Sequence, residues 1–308
     1  IYTLQPQASL TVIDQSTGEV KAIVGGRGDK TASKTLNRAT DTTRQPGSTF
    51  KILAAYSAAL DAGGLTLASV QDDAPYTYAG ANGKSVNNYD RRYRGFTTLR
   101  EAITDSINIV TVKTLAQAGV SLGWQYVQEY GFTTVDSRDM NEALALGGIT
   151  QGVSNLELTA AYAAIANQGT YIKPKFYTKI LDHDGNVLID NTTPESHTVI
   201  KDTTAWLLTS AMEDVMTSGT GTSAYFGSSM AQAGKSGTTT SSRDALFAGY
   251  TPYYTCAVWG GYDDNAMQKG SDTNYPKRIW KAVMKRIHEN LAYKDFTKPS
   301  GIVAVAVC

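Results

Sequence analysis

Between Pro46-Gly47 and Gly63-Gly64 runs "STFKILAAYSAALDA", a segment apolar on almost every side of a helix. A helix with no polar face belongs in the middle of a domain, so the rest of the chain must be able to wrap it. Its ends are marked: the Pro-Gly pair breaks the preceding loop, and the Gly-Gly pair stops the helix. Lys51 sits just inside this segment, between Phe50 and Ile52-Leu53. A lysine buried among such neighbours loses affinity for its proton.

The chain has 308 residues, enough for one large domain or two ordinary ones, and 42% hydrophobic with 18% charged residues is a globular balance. Lys plus Arg equals Asp plus Glu, 28 each, which argues against nucleic acid as a partner. No apolar run approaches the ~18 residues of a membrane helix. "IYTLQPQASLTVID" opens without a signal peptide, so a soluble piece excised from a longer protein is expected. "GIVAVAVC" at the other end reads as a strand cut short or leading into a further module. The two cysteines, Cys256 and Cys308, form no Cys-x-x-Cys, and neither a disulfide framework nor a structural zinc site is expected. Cys256 in "YYTCAVWGG" reads as a buried structural thiol. His183 belongs to a hairpin turn in "DHDG", His288 to a surface helix, and neither they nor His197 have a metal-ligand neighbour. No metal or cofactor is expected, and nothing nominates a His-dependent triad.

The chain opens as a hairpin, "ASLTVID" and "VKAIVGG" around the turn "QSTGE". Thr98 and Glu101 form a capping box, as do Ser154 and Glu157. The first of these helices lapses around Thr104-Asp105, and "NIVTVKTLAQAG" takes over. From about Thr170 the pattern becomes a strand pair, "TYIKPKFYTKILDHDGNVLI", then the helix "TTAWLLTSAMEDVMTSGTGT". Three strands follow, "AQAGKSGTT", "ALFAGYT" and "YYTCAVWGGY". A last helix has Pro276 as its first residue and Ile279, Val283, Ile287 and Leu291 on one face. Strands lie at both ends and helices between them. The expected fold is therefore α+β: one antiparallel sheet built from both chain ends, flanked by helices, with an inserted all-helical lobe. Residues 1–47 and about 170–308 would form the sheet lobe and about 48–169 the helical lobe.

"AGKSGTTTS" from Ala233 admits two anion-binding readings. A phosphate loop needs glycine five residues before Gly234, where Ser229 stands, and a helix after it, where β-branched residues follow. The other reading is a carboxylate-binding strand, with Lys235 and Gly237 on one face, Ser236 and Thr238 on the other, and Gly237 admitting a ligand close to the backbone. Upstream, "STFK" puts Lys51 three residues after Ser48, on the same side of a helix start where backbone N–H groups are free. A neutral lysine there is a base for the serine. As an isolated motif it is more often an N-cap serine with a surface lysine. "SIN" supplies Ser106 and Asn108 between two helices, ordinary caps when met alone.

Together and in this order, "STFK", "SIN" and "KSGT" are the set shared by penicillin-binding proteins and serine β-lactamases. Nearly the whole chain resembles the transpeptidase domain of class A (bifunctional) penicillin-binding proteins. The resemblance is carried by "VIDQSTGEVKAIVGG", "LNRATDTTRQPGSTFK", "VNNYDRRYRGFTTLREAITDSIN", "ALGGITQGVSNLELTAAYAAIANQGTYIKP", "TSGTGT", "AGKSGTT", "RDALFAGYTP" and "AVWGGYD". Two departures are Leu246, where such domains usually carry tryptophan, and Ser236, where threonine is commoner but the hydroxyl is kept.

The resemblance implies a single transpeptidase domain over 1–308 that cross-links peptidoglycan stem peptides through an acyl-enzyme and releases D-alanine. Ser48 would be the nucleophile, Lys51 its base, Ser106 the proton relay to the leaving D-alanine, and Asn108 a ligand of the substrate amide that also orients Lys51. Lys235, Ser236, Gly237 and Thr238 would receive the terminal carboxylate, and the N–H groups of Ser48 and Thr238 would form the oxyanion hole. Thr239 and Thr240 lie at the strand edge, and Asn88 and Tyr89 either rim the cleft or hold a loop. β-Lactams would acylate Ser48. The family also implies a glycosyltransferase domain and a membrane anchor outside these residues, at the outer face of a bacterial membrane. Alternatives with the same motifs are a D,D-carboxypeptidase, a non-catalytic β-lactam sensor, and a β-lactamase. The last needs a base for water, and Glu142 in "MNEAL" lacks the spacing for it.

Overall fold

The computed structural model describes residues 5–79, 83–269 and 273–306. Alternating apolar residues form the expected opening hairpin, β1 (Gln7–Asp14) and β2 (Glu19–Val24), turned at Gly18 with φ +72°. The apolar segment after Pro46 is not one regular helix. A 3₁₀ turn (Gly47–Thr49) leads into a π-helical stretch (Lys51–Tyr56), and only then comes α1 (Ser57–Asp61). Its burial is as expected: Phe50 to Tyr56 are wholly inaccessible.

Strand β3 (Val70–Asp73), a short pair β4 (Tyr76–Thr77) and β5 (Ser85–Val86), and β6 (Gly95–Thr98) precede the main helices. β3 pairs with β6. Both capping boxes form. Thr98 Oγ1 accepts from Glu101 N at 3.2 Å at the start of α2 (Leu99–Thr104). α2 stops where expected, and α3 (Asn108–Ala118) follows, then α4 (Val120–Glu129). Ser154 and Glu157 open α5 (Asn155–Ala166).

The strand pair expected over 170–190 divides differently. β7 (Thr170–Ile172) pairs with β10 (Ser196–Thr198), while β8 (Lys179–Leu181) and β9 (Val187–Asp190) make an exposed hairpin of their own. Neither pair joins the main sheet, which this segment touches only through an isolated bridge from Lys175 to Glu19 at the start of β2. His183 does occupy the β8–β9 turn. α6 (Asp202–Thr217), β11 (Ala233–Thr238), β12 (Asp244–Tyr250), β13 (Thr255–Gly261) and α7 (Tyr275–Ile287) complete the chain.

The main sheet runs β11-β12-β13-β1-β2, antiparallel throughout, so both chain ends build it. β12 and β13 are buried along their whole length because helices cover both faces. Leu246, Ala248 and Trp259 point into the large core shared with α1 to α6. Phe247, Val258 and Cys256 point the other way, onto Trp280 and Met284 of α7. Cys256 is a buried thiol, as its sequence context implied.

Three smaller expectations fail. Tyr275, not Pro276, is the first residue of α7, and Leu291 lies beyond its end. His288 is not on the surface: it closes α7 from inside, with Nδ1 2.7 Å from Met284 O and Nε2 2.8 Å from Thr251 Oγ1. Residues 302–306 form no strand, and Cys308 lies outside the described residues.

Trp280 fastens α7 to the sheet. It is fully buried, donates to Cys256 O at 3.1 Å and meets Phe247 edge-on at 5.1 Å. Trp280→Ala is expected to cost about 3–5 kcal/mol of unfolding free energy, read as a lower urea midpoint at unchanged slope.

Candidate active site

The Ser48 turn is shaped by backbone contact on two sides. Gly47 has φ +54°, and a Cβ there would lie 3.1 Å from Thr238 O and 3.3 Å from Thr238 N. A Cβ on Gly147 would lie 2.5 Å from Gly47 O. The turn is therefore pressed between β11 and the loop that follows the 3₁₀ helix Glu142–Leu146. Ser48 stands within the turn, half-buried, and makes no capping hydrogen bond. The helix begins around Ser48 without using it. One 3₁₀ turn stacks residues three apart, which sends Lys51 into the same region.

Lys51 and Lys235 are both fully buried and meet on Ser106. Lys51 Nζ donates to Ser106 O at 2.7 Å and to Asn108 Oδ1 at 2.6 Å, and lies 3.2 Å from Ser106 Oγ. Lys235 Nζ donates to Ser106 Oγ at 2.8 Å and to Ser236 O at 3.3 Å. Desolvation holds Lys51 well below the ordinary lysine range, and the charge of Lys235 adds to the effect. Lys235 is itself pushed down to about 7, by desolvation first and then by the charge of Lys277. The two oxygens that can only accept, Ser106 O and Asn108 Oδ1, satisfy both N–H bonds of a neutral Lys51, leaving its lone pair for a hydroxyl. No hydrogen bond joins Lys51 to Ser48; the amine is anchored on the Ser106–Asn108 segment instead.

That segment is held by a buried polar network. Ser106 has φ +57°, a left-handed conformation that costs a non-glycine residue about 1–2 kcal/mol. Ile107, at the start of α3, has no capping side chain. The cap comes from Asn88, whose Oδ1 accepts from Asn108 N at 3.0 Å and Ile109 N at 3.2 Å. Asn88 Nδ2 in turn donates to both oxygens of the inaccessible Asp73, at 2.8 and 3.0 Å. Asn88 is thus a buried structural residue, while Tyr89 points into solvent. Asn108 Nδ2 donates to Asn87 O at 2.6 Å, which leaves one amide proton for any ligand.

On β11, Ser236 Oγ donates to Thr220 Oγ1 at 2.9 Å, and Thr238 is exposed. Gly237 differs from its expected role. A Cβ on it would lie 2.6 Å from Pro46 O and 3.0 Å from Thr49 Cγ2. The close approach it permits is that of the Ser48 turn, not of a ligand. Thr239 closes the β11–β12 hairpin by accepting from Asp244 N at 2.8 Å. Leu246 lies under the sheet in the core, beside Trp259, and not in the cleft.

A cleft of about 430 Å³ opens over these groups, lined by Ser48, Asn108, Thr238, Thr239 and Thr240. Tyr78, Lys84, Gly147, Arg243 and Asn265 are also among its walls. None of these five was singled out from the sequence as a site residue, although Gly147 and Arg243 lie in stretches that carry the family resemblance. For Gly147 the glycine pair in "ALGGIT" was a usable signal; Tyr78, Lys84 and Asn265 come from loops whose only mark is their place in the fold.

An antiparallel sheet capped on one face by a single helix and on the other by a helical lobe, with serine, two lysines and a second serine at the edge strand, is the β-lactamase-like fold of penicillin-binding transpeptidases. The sequence profile of the penicillin binding protein transpeptidase domain matches residues 8–288, and the chain belongs to that family. It is 36% identical to penicillin-binding protein 1A of Clostridium botulinum (strain Langeland) over 99% of its own length and 38% of that protein's. It is 38% identical to penicillin-binding protein 1F of Bacillus subtilis over 96% and 41%. The chain thus spans about two fifths of these relatives. Among solved structures, penicillin-binding protein 1A of Haemophilus influenzae superposes with a TM-score of 0.84 at 27% identity, over 97% of this chain and 50% of that one. The PonA1 protein of Mycobacterium tuberculosis in complex with penicillin V gives 0.82 at 25%, over 96% and 82%.

The buried lysines carry a stability signature. Lys235 sits at about 7 when folded and at the ordinary 10.5 when unfolded, so between those values the unfolded chain binds more protons. Through this group, stability climbs as pH rises from about 7 toward 10.5 and is lowest below 7. Lys235→Met is expected to raise Tm at pH 7, with the gain shrinking as melts are repeated toward pH 10.

Proposed function

We propose that the chain is the D,D-transpeptidase domain of a peptidoglycan synthase, acting through an acyl-enzyme at Ser48 that β-lactams also form. The observation that carries this reading is the pair of buried lysines on one serine hydroxyl beside the Ser48 turn. Lys51, kept neutral, takes the proton of Ser48 as its Oγ bonds to the penultimate D-alanine carbonyl. The oxygen's developing charge meets the N–H groups of Ser48 and Thr238, whose main chains lie against each other across Gly47; one such donor is typically worth about 10²–10³ in rate. The C–N bond then breaks, and the proton passes from Lys51 through Ser106 Oγ to the departing D-alanine amine. An acceptor amine attacks the ester and returns the proton to Ser48.

Lys235, with Ser236 and Thr238, binds the substrate's terminal carboxylate. An arriving anion favours the charged form of Lys235. The same charge holds Lys51 neutral, so binding prepares the base. Gly237 supports this site by admitting the Ser48 turn. Membership of the family and the relatives' greater length support a membrane-anchored whole protein at the outer face of a bacterial membrane, with a glycosyltransferase domain beyond these residues. Peptidoglycan stem peptides are then donor and acceptor, and β-lactams covalent inhibitors.

The β-lactamase alternative has a specific observation against it. Both oxygens of Glu142, the one acidic residue the sequence offered as a water-activating base, are engaged: Tyr76 OH donates to one at 2.9 Å and Ala79 N to the other at 2.8 Å.

A labelled penicillin followed by intact mass is expected to give one adduct, at Ser48, absent from Ser48→Ala. Because Ser48 makes no capping bond, that variant should keep its stability to within about 0.5 kcal/mol. An adduct on another residue, or sustained release of hydrolysed nitrocefin over many turnovers, would sink the reading.

A further inference from the structure

Thr220 has all three of its polar groups engaged, each by a different element. Its N–H donates to Thr104 O at 3.3 Å, at the end of α2 and two residues before Ser106. Its hydroxyl accepts from Ser236 Oγ on β11 at 2.9 Å. Its carbonyl accepts from Lys277 Nζ on α7 at 3.2 Å. The neighbouring Gly219 allows this: a Cβ there would lie 2.3 Å from Thr104 O. The turn after α6 therefore ties together the serine loop, the edge strand and the covering helix. Lys277, half-buried behind Thr220, is close enough to act electrostatically on Lys235.

Resting on the acyl-transfer reading, we propose that Thr220 and Lys277 are positioning residues for the carboxylate-binding strand: Thr220 orients the Ser236 hydroxyl, and Lys277 fixes Thr220 while adding a cation behind the anion site. The Ser236 hydroxyl gives its proton to Thr220 Oγ1. A bound carboxylate needs that proton, since a carboxylate only accepts. Both hydroxyls can rotate. Ser236 turns its O–H to the carboxylate, and Thr220 turns its own O–H to Ser236 Oγ. The resulting chain polarises the hydroxyl that touches the anion. Thr238, exposed at the end of the strand, has no such backing, so Ser236 is the better-ordered of the two donors. Lys277 touches neither ligand nor nucleophile; it acts through Thr220 O and through its charge.

The test compares acylation by a penicillin with acylation by its methyl ester, which presents the same reactive ring and no carboxylate. Losing a neutral hydroxyl–hydroxyl bond such as the one between Ser236 and Thr220 costs a factor of about two to ten. Thr220→Val, which keeps the shape and removes the hydroxyl, is expected to slow reaction with the acid about fivefold and to leave the ester rate within about 1.5-fold. Thr220→Ser is expected to restore the acid rate. Lys277→Gln, which leaves every hydroxyl in place, is expected to give a smaller loss, again confined to the acid, and Lys277→Arg to recover most of it. Equal losses with acid and ester would mean general damage to the fold and overturn the proposal, as would variants indistinguishable from wild type. If wild-type protein reacts with neither reagent, the acyl-transfer reading itself fails; if wild type reacts and the variants match it, only this inference does.

Discussion

Two lysine amines meeting on one serine hydroxyl, all three out of water, is the arrangement on which the rest of the site depends. Neither lysine could be buried there as an ordinary cation, because an unpaired buried charge costs far more than a domain's whole stability margin. Among the described residues no carboxylate is hydrogen-bonded to either amine; their partners are the oxygens of Ser106, Asn108 and Ser236. With no counter-ion, desolvation and mutual repulsion can be relieved only by losing protons. Lys51, whose partners already satisfy a neutral amine, loses its proton first. A basic amine at neutral pH is thus a product of burial, and burial is supplied by the apolar segment that opens around Phe50.

The surrounding backbone serves to hold that meeting point. Gly47, Gly147 and Gly237 remove three side chains where the Ser48 turn, the loop after Leu146 and β11 come into main-chain contact. Ser106 keeps a left-handed conformation because both flanks are fixed, α3 by the Asn88–Asp73 pair and α2 by Thr220 N on Thr104 O. Strain of this kind persists where neighbours over-determine it. Site residues drawn from 47–51, 106–108 and 235–238 are each set in place by a partner from elsewhere: 147, 88, 73 and 220.

That distribution explains what a single sequence could and could not disclose. The two capping boxes, the buried apolar segment and the motif serines and lysines were legible, because each depends on residues a few positions apart; the sheet from both chain ends followed from where the strand-like stretches lie. The π-helical stretch was not: its letters, "KILAAY", are those of any buried helix, and the widened turn answers to packing. His288 read as a surface residue because its partner, Thr251, sits 37 positions away in a turn between two strands. Gly237 was recognised as a place of close approach, but the approaching group could not be known without the fold. Asn88 was noticed, but whether it rims the cleft or holds a loop could not be decided, and Thr220 was invisible, for the same reason. An asparagine in a polar loop and a threonine in a glycine-rich turn look like surface decoration until the helix or strand they serve is beside them.

Local rules also failed most where the site demands a departure from them. Ser48 occupies a helix start yet caps nothing, and Ile107 begins α3 with no cap of its own. A serine committed to capping would have its oxygen turned toward backbone N–H groups and away from the cleft. Leaving Ser48 uncommitted, and importing the cap of α3 from Asn88, frees both serine hydroxyls and the Asn108 carbonyl for the lysines and the cleft. The capping energy forgone at these two starts, about 1 kcal/mol each, is supplied in part by Asn88 and otherwise by the burial of Phe50, Ile52 and Leu53, so the apolar segment that fixes the fold also underwrites the chemistry at its tip.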